Sequence, residues 1–122
     1  MKIRLDRQGN SQVAIVESAE VVIHDVQDAL DLMATVRYES GSSKILIPKA
    51  NITEEFFDLK TRLAGEILQK FTNYQVQIAI VGDFDGYASK SLQSFIYECN
   101  RGNQVFFAKD LPAGLQALHG GN

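Results

Sequence analysis

The sequence contains few of the residues from which covalent or metal-based frameworks are built. Cys99 is the only cysteine among 122 residues, so the chain can form no internal disulfide and no zinc site with several thiolate ligands. His24 and His119 are far apart along the chain. A domain of this length buries roughly two thirds of its unfolded surface and is stable without such cross-links.

An excess of basic residues is also absent. The chain has 12 Lys and Arg residues against 15 Asp and Glu residues, and its formal net charge is -3. Proteins that bind nucleic acids usually present a basic surface to the phosphate backbone. The composition therefore predicts that nucleic acid is not a partner.

Long apolar runs are missing as well. Runs of four apolar residues occur, as at residues 78–81, whereas a membrane-spanning helix needs about 20. The first residues lack the apolar stretch of a secretory signal, and the last residues carry no lipidation motif. We therefore expect a cytoplasmic protein with no membrane partner, and a single cysteine agrees with a reducing compartment.

The spacing of apolar residues predicts an α/β fold. Apolar strands are expected near positions 13, 44, 76 and 104, and a helical apolar spacing follows each of them. The intervals of 31, 32 and 28 residues suit β-α units of about 30 residues. A turn at Gly9 and Asn10 predicts an opening hairpin. The expected fold is this hairpin followed by four β-α units, giving a mainly parallel sheet of about five strands with four helices.

Helix boundaries and domain limits follow from local signals. Asp25, Thr53, Ser89 and Asp110 precede the four predicted helices and are expected N-caps. We expect a single domain over residues 1–118. Residues 119–122, which include His119, are expected to form a flexible tail.

Three stretches of the sequence resemble a known family. They are VVIHDVQDALDLMATVRY (residues 21–38), FFDLKTRLAGEILQKF (residues 56–71) and IAIVGDFDGYASKSLQSFIYECNRG (residues 78–102). Together they resemble the bacterial domain-of-unknown-function family DUF4180, and the similarity covers about residues 1–118. The resemblance implies the fold of that family and no particular activity.

The order of elements also resembles that of STAS domains and sporulation anti-sigma-factor antagonists. Those proteins carry a phosphorylatable Ser or Thr at the start of the second helix, in an Asp-Ser-Ser/Thr-Gly context. The nearest sequence here is Asp58-Leu59-Lys60-Thr61, which lacks the hydroxyl pair, and the glycine is displaced to Gly65. The resemblance implies a regulatory fold with helices on one sheet face, but the phosphorylation switch does not transfer to Thr61.

Candidate binding residues follow the carboxyl ends of the predicted parallel strands, where ligands of α/β proteins usually bind. The loop after the strongest strand, residues 82–90, contains two glycines and leads into a helix whose first N–H groups suit an anion. The loop at residues 49–58 belongs to the neighbouring unit. The candidate ligand-binding residues are Lys49, Asp58, Asp83, Asp85, Gly86, Tyr87, Ser89 and Lys90.

Three interpretations of Asp83 and Asp85 remain open. The two carboxylates could hold Mg²⁺ together with water molecules, or could form part of a calcium loop that lacks its remaining ligands. Alternatively, they satisfy N–H groups of a turn while Ser89 caps the next helix. The carboxylates of Asp83 and Asp85 would repel an anion bound beside Lys90. A ligand site here would therefore be bipolar, with both negative and positive groups.

The sequence shows no nucleophile–base–orienter set and no cofactor motif, so no cofactor is expected. The leading hypothesis is therefore a non-enzymatic regulatory or binding module that contacts a protein or a small ligand. The alternative is a small enzyme, a magnesium-assisted hydrolase using Asp83 and Asp85.

A self-association site is a further expectation. The apolar strand at residues 105–107 is expected at an edge of the sheet, and exposed edge strands tend to pair with other chains. A homodimer through this strand or an adjoining helix is therefore predicted.

Overall fold

The computed structural model describes residues 1–120 and contains one mixed sheet with four α-helices. The strands are β1 (Lys2–Gln8), β2 (Ser11–Glu17), β3 (Lys44–Pro48), β4 (Gln77–Val81) and β5 (Val105–Ala108). The helices are α1 (Val26–Ser40), α2 (Leu63–Asn73), α3 (Lys90–Arg101) and α4 (Leu111–Gly120). The strands lie side by side in chain order; β1 and β2 are antiparallel, and β2 to β5 are parallel. The predicted hairpin and mainly parallel sheet are confirmed.

Three of the four predicted N-caps make the expected hydrogen bond. The Asp25 carboxylate accepts from the Asp28 N–H at 2.9 Å, and the Ser89 hydroxyl accepts from the Leu92 N–H at 3.1 Å. Asp110 caps α4 in the same way, through the N–H of Ala113 at 3.0 Å. These caps satisfy N–H groups that have no partner within the helix.

The predicted start of the second helix at Thr53 is wrong. The Thr53 side chain makes no capping bond, and α2 begins only at Leu63. Arg62 adopts a left-handed conformation with φ of 64°, which a continuous α-helix cannot contain. Short 3-10 turns fill the gap and bury both Phe56 and Phe57. The turns comprise Lys49–Asn51, Glu54–Phe57 and Leu59–Thr61.

Helices cover both faces of the sheet, which corrects the expectation of one covered face. Side chains alternate between the two faces of a strand, so neighbours in sequence enter different cores. Ala14, Ile45 and Ile78 belong to the larger core with residues of α1, α2 and α3. The second core joins the opposite face to α4; its buried members are Val13, Ile15, Leu46, Ala79 and Leu118.

Helix α4 lies very close to the sheet because of Gly114. A Cβ atom at this position would stand 2.7 Å from Val81 Cγ1 and 2.8 Å from Leu46 Cδ1. The helix continues past the expected domain limit at residue 118, and His119 is buried within it, which corrects the expected flexible tail at that residue. Residues 121–122 of the expected tail lie outside the described residues.

No helix in the described part of the chain combines the length and the apolar character that crossing a membrane requires.

Candidate functional site

The carboxyl edge, where the parallel strands end, brings together two loops that the sequence singled out. Lys49 follows β3 directly, and Asp83 follows β4 after one glycine. These residues line a cleft of about 340 Å³ together with Glu54, Gly86 and Tyr87, which we call the carboxyl-edge cleft. A second cleft of about 490 Å³ adjoins it, and Lys49 and Glu54 line both.

The Lys49 ammonium group is held between an aromatic ring and a carboxylate. Its Nζ atom lies 4.8 Å from the ring centroid of Tyr87 and 4.0 Å from Oε1 of Glu54. The interaction with the Tyr87 hydroxyl raises the pKa of Lys49, and the negative charges of Glu54 and Asp83 add to this effect. Lys49 therefore carries a positive charge throughout the neutral pH range.

Tyr87 is positioned from both ends of its side chain. Its hydroxyl donates to the Glu54 carboxylate at 3.0 Å, and its ring stacks on Phe57 with 5.5 Å between the centroids. Burial is the main cause that raises the pKa of Tyr87, so the phenol stays neutral at physiological pH. The Gln93 side chain also fixes the loop, because its amide donates to the carbonyl groups of Phe84 and Tyr87.

Gly82 permits the close approach of the two loops. A Cβ atom at this position would stand 2.8 Å from Cβ and 3.2 Å from Cδ of Lys49. Any side chain at residue 82 would therefore displace Lys49 from the cleft.

The remaining predicted site residues have local structural roles or lie outside this cleft. Asp83 accepts from the N–H of Asp85 at 2.9 Å, and the Ser89 hydroxyl caps α3. Asp58 accepts from the N–H of Lys60 at 3.2 Å. Asp58, Asp85, Ser89 and Lys90 do not line the carboxyl-edge cleft.

Glu54 is the cleft residue that the sequence did not predict. A helix beginning at Thr53 was expected, and in that helix Glu54 would be an ordinary acidic residue of the first turn. In the observed 3-10 turn, its carboxylate meets Tyr87 and Lys49 instead. Glu54 belongs to no recognisable sequence motif, so no signal in the sequence indicated its place in the cleft.

Carboxylates at this edge do not assemble into a larger cluster. Within residues 1–120, no group of three or more His, Cys, Asp or Glu side chains is placed to hold a metal ion. The Asp83 carboxylate accepts the backbone N–H of Asp85, so one of the two carboxylates stabilises the turn.

Thr61, the residue nearest to the phosphorylation position of STAS domains, precedes α2. Its hydroxyl lies 2.8 Å from the carbonyl oxygen of Asp58 and 2.9 Å from that of Glu55. It also accepts from the N–H of Leu63 at 3.2 Å. The hydroxyl thus connects the last 3-10 turn to the start of the helix.

The amino-terminal edge, where the parallel strands begin, holds a larger cavity of about 660 Å³. Nδ1 of His119 lies 2.7 Å from Oγ of Ser11, and Nε2 of His119 lies 2.8 Å from Oδ2 of Asp6. The Lys44 ammonium donates to the same serine oxygen at 2.7 Å. We call these four residues the serine site. The sequence did not predict that a serine hydroxyl, an imidazole and a carboxylate lie together here.

The edge strand β5 is protected at its centre. The Asn100 side chain accepts from the N–H of Phe107 at 2.7 Å and donates to the carbonyl oxygen of Phe107 at 3.1 Å. These contacts satisfy backbone groups that an added strand would otherwise use. The predicted homodimer stays a prediction, and direct strand addition at Phe107 would have to displace Asn100.

A family model described as a domain of unknown function, DUF4180, matches residues 8–118. The chain belongs to this family. The DUF4180 match confirms the resemblance expected from residues 21–38, 56–71 and 78–102. No curated protein and no solved structure matches the chain, so the STAS resemblance stays a prediction.

Proposed function

We propose that this DUF4180 chain is a binding module whose carboxyl-edge cleft takes a small ligand with both a cationic and an anionic group, as in a free amino acid. The observation that carries the proposal is the placement of the Lys49 ammonium beside two carboxylates in one cleft. Glu54 lies 4.0 Å from it, and Asp83 lines the same cleft. A ligand that carries only one sign of charge would be repelled by a group of the same sign on one side of this cleft.

The two ends of such a ligand have separate partners. Its carboxylate would pair with the ammonium of Lys49, a compact cation with three donors. Its ammonium would pair with Glu54 or Asp83, both of which are exposed at the mouth of the cleft. The ring of Tyr87 would support the carbon stem between them.

The protonation states of the cleft suit binding better than proton transfer. The pKa of Lys49 and the pKa of Tyr87 are both raised, so both groups retain their protons at neutral pH. A general base needs a pKa near the working pH. The magnesium-assisted hydrolase at Asp83 and Asp85 has less support, since the Asp83 carboxylate accepts the backbone N–H of Asp85 and Asp85 does not line the cleft.

A regulatory role follows from the position of Tyr87 between the two loops. A ligand that competes for Glu54 would break the Tyr87–Glu54 hydrogen bond and alter the loop before α3. In this proposal the altered loop is recognised by a protein partner in the cytoplasm, which gives the module a regulatory role.

Isothermal titration calorimetry with each standard amino acid tests the proposed ligand class. We expect saturable binding of at least one amino acid to the wild-type chain. Lys49→Gln should weaken that binding about tenfold or more, because the carboxylate of the ligand loses its cation. Lys60→Gln is the matched control, since Lys60 is exposed outside the cleft and should leave the affinity unchanged. Absence of binding to the wild type, or equal loss in both variants, would reject the proposal.

A further inference from the structure

We propose that Ser11 is a nucleophile that accepts acyl groups from small polar esters, in a second site at the amino-terminal edge. The juxtaposition that points to it is a continuous hydrogen-bonded chain from Lys44 through Ser11 and His119 to Asp6. This site lies at the opposite end of the strands from the carboxyl-edge cleft, and neither depends on the other.

The directions of these hydrogen bonds follow from the chemistry of the partners. The Asp6 carboxylate only accepts, so Nε2 of His119 carries a proton and donates to it at 2.8 Å. The Lys44 ammonium only donates, so it occupies one lone pair of the serine oxygen at 2.7 Å. When the imidazole is neutral, Nδ1 has a free lone pair, and the Ser11 hydroxyl donates to it. In this arrangement His119 is ready to accept the serine proton.

The fold creates this chain from three strands and one helix. Ser11 and Val13 lie on the same face of β2, because side chains alternate along a strand, and Asp6 pairs with Val13 across the hairpin. Lys44 lies on this face of β3, two residues before Leu46. Helix α4 runs over the same face and brings His119 to it.

The surroundings of the chain suit a reaction on a small substrate. Ser11 and Lys44 line the cavity of about 660 Å³, whose walls carry many hydroxyl and amide groups. The His119 side chain is 4% exposed, so its hydrogen bonds are shielded from bulk water, while both His119 and the half-buried Ser11 line the cavity through which a substrate and a hydrolytic water molecule would enter. A polar cavity of this kind favours a small polar acyl donor.

Each group has one role in the reaction. The Ser11 oxygen attacks the ester carbonyl, and its proton passes to Nδ1 of His119. The Lys44 ammonium, which already contacts the serine oxygen, stabilises the negative oxygen of the tetrahedral intermediate. The bond to the leaving alcohol breaks as His119 returns the proton to that alcohol, which leaves an ester on Ser11. Water, activated by His119 in the same way, then hydrolyses this ester and releases the acid.

The ring nitrogens of His119 are used in the reverse order from the serine protease triad. There, Nε2 faces the serine and Nδ1 faces the aspartate; here, Nδ1 faces Ser11 and Nε2 faces Asp6. Either ring nitrogen of an imidazole can accept a proton when the other nitrogen donates to a carboxylate. Asp6 is therefore a positioning residue that fixes the tautomer of His119.

Labelling with a fluorophosphonate, followed by peptide mass mapping, tests the nucleophile. The reagent should form a bond between the Ser11 oxygen and phosphorus, expel fluoride and add one label per folded wild-type chain. Urea-unfolded protein should not be labelled, because the hydrogen-bonded chain is then lost. Wild-type protein that remains unlabelled, or that is labelled elsewhere, would overturn the proposal without any variant.

Variants assign the roles. Ser11→Ala should abolish the label, and His119→Gln should slow labelling about 100-fold through loss of the base. Ser94→Ala, at an exposed serine of α3, is the matched control and should label like the wild type. Equal labelling of the wild type and Ser11→Ala would exclude Ser11 as the nucleophile.

Two substitutions at Asp6 separate positioning from simple structural support. Asp6→Asn should slow labelling more than about tenfold while the thermal midpoint changes little, because the amide does not fix the His119 tautomer. Asp6→Glu should restore part of the rate. If the labelling rate follows the thermal midpoint in both variants, Asp6 has only a structural role.

Release of p-nitrophenol from p-nitrophenyl acetate by wild type, and not by Ser11→Ala, gives the corresponding test of turnover.

Discussion

The two edges of the parallel sheet hold their polar groups in different ways. At the carboxyl edge, Lys49, Glu54 and Tyr87 come from two loops of neighbouring β-α units, and the Glu54 side chain is 73% exposed. At the amino-terminal edge, His119 is almost fully buried and meets Ser11, which is 108 residues away along the chain. One edge is assembled by loops on the surface, and the other depends on the docking of a helix.

Because of this difference, we expect substitutions at the two edges to affect stability and ligand binding differently. Groups on exposed loops contribute little to folding, and their substitution should change affinity while leaving the fold intact. A buried histidine with two hydrogen bonds ties helix α4 to the hairpin, so its loss should affect both folding and any chemistry at the serine site. The comparison fails if substitutions at the two edges have the same effect.

Gly114→Ala should have the largest effect on stability. Its added Cβ atom would stand 2.7 Å from Val81 and 2.8 Å from Leu46, so α4 must move away from the sheet. We expect the free energy of unfolding to fall by about 2–3 kcal/mol, as is typical of overpacking, in urea titrations followed by circular dichroism. Gly65→Ala in α2 is the matched control, because its Cβ meets no atom within 4 Å and should be neutral or stabilising. Equal stability of the two variants would contradict the close docking of α4.

His119→Ala should cost about 2 kcal/mol of unfolding free energy, since it removes a buried side chain and leaves Asp6 and Ser11 without their partner. His24→Ala is the control, because the His24 side chain is 63% exposed and bonds only to Asp28. Its cost should stay within about 0.5 kcal/mol. A small loss for His119→Ala in the same urea titration would show that the amino-terminal edge does not depend on this residue.

Gly82→Ala should affect the carboxyl edge with a smaller loss of stability, about 1–2 kcal/mol, because the added Cβ atom would stand 2.8 Å from Lys49 Cβ, which moves only together with its backbone. The displaced ammonium group should then weaken ligand binding about tenfold in calorimetric titrations. Reactivity of Ser11 toward the fluorophosphonate should be unchanged in this variant. Loss of both properties would show that the two edges are coupled.

Asn100→Ala should have the smallest effect on stability, about 0.5–1 kcal/mol, and a clearer effect on association. It exposes the backbone groups of Phe107 on the edge strand, so light scattering should detect more self-association than in the wild type. Asn103→Ala is the control, since it is exposed and leaves those groups protected. Unchanged self-association would mean that Asn100 does not prevent other chains from pairing with the edge strand β5.

Much of the fold could be predicted because its signals are local. Asp25, Ser89 and Asp110 each precede a helical apolar spacing, and each makes the bond that a cap requires within three residues. The strands repeat at nearly constant intervals, which indicates β-α units. Thr53 shows the limit of such signals: tertiary burial of Phe56 and Phe57 favours 3-10 turns over the helix that the sequence suggests.

The site could be predicted only where neighbouring loops form it. Lys49, Asp83 and Tyr87 meet because consecutive parallel strands end at the same edge. The serine site escaped prediction because it depends on which sheet face α4 covers. Once that face is known, strand alternation places Ser11 and Lys44 beneath the helix, but the sequence shows neither the face nor the length of α4.

The most direct test of the binding edge is a chemical-shift map of the ¹⁵N-labelled protein, recorded with an amino acid that binds in the calorimetric screen. We predict that the backbone amide signals of Lys49, Gly86 and Tyr87 shift with a single affinity, while those of Ser11 and Lys44 stay in place. Shifts centred on Ser11 and Lys44, with none around Tyr87, would contradict the assignment of ligand binding to the carboxyl edge.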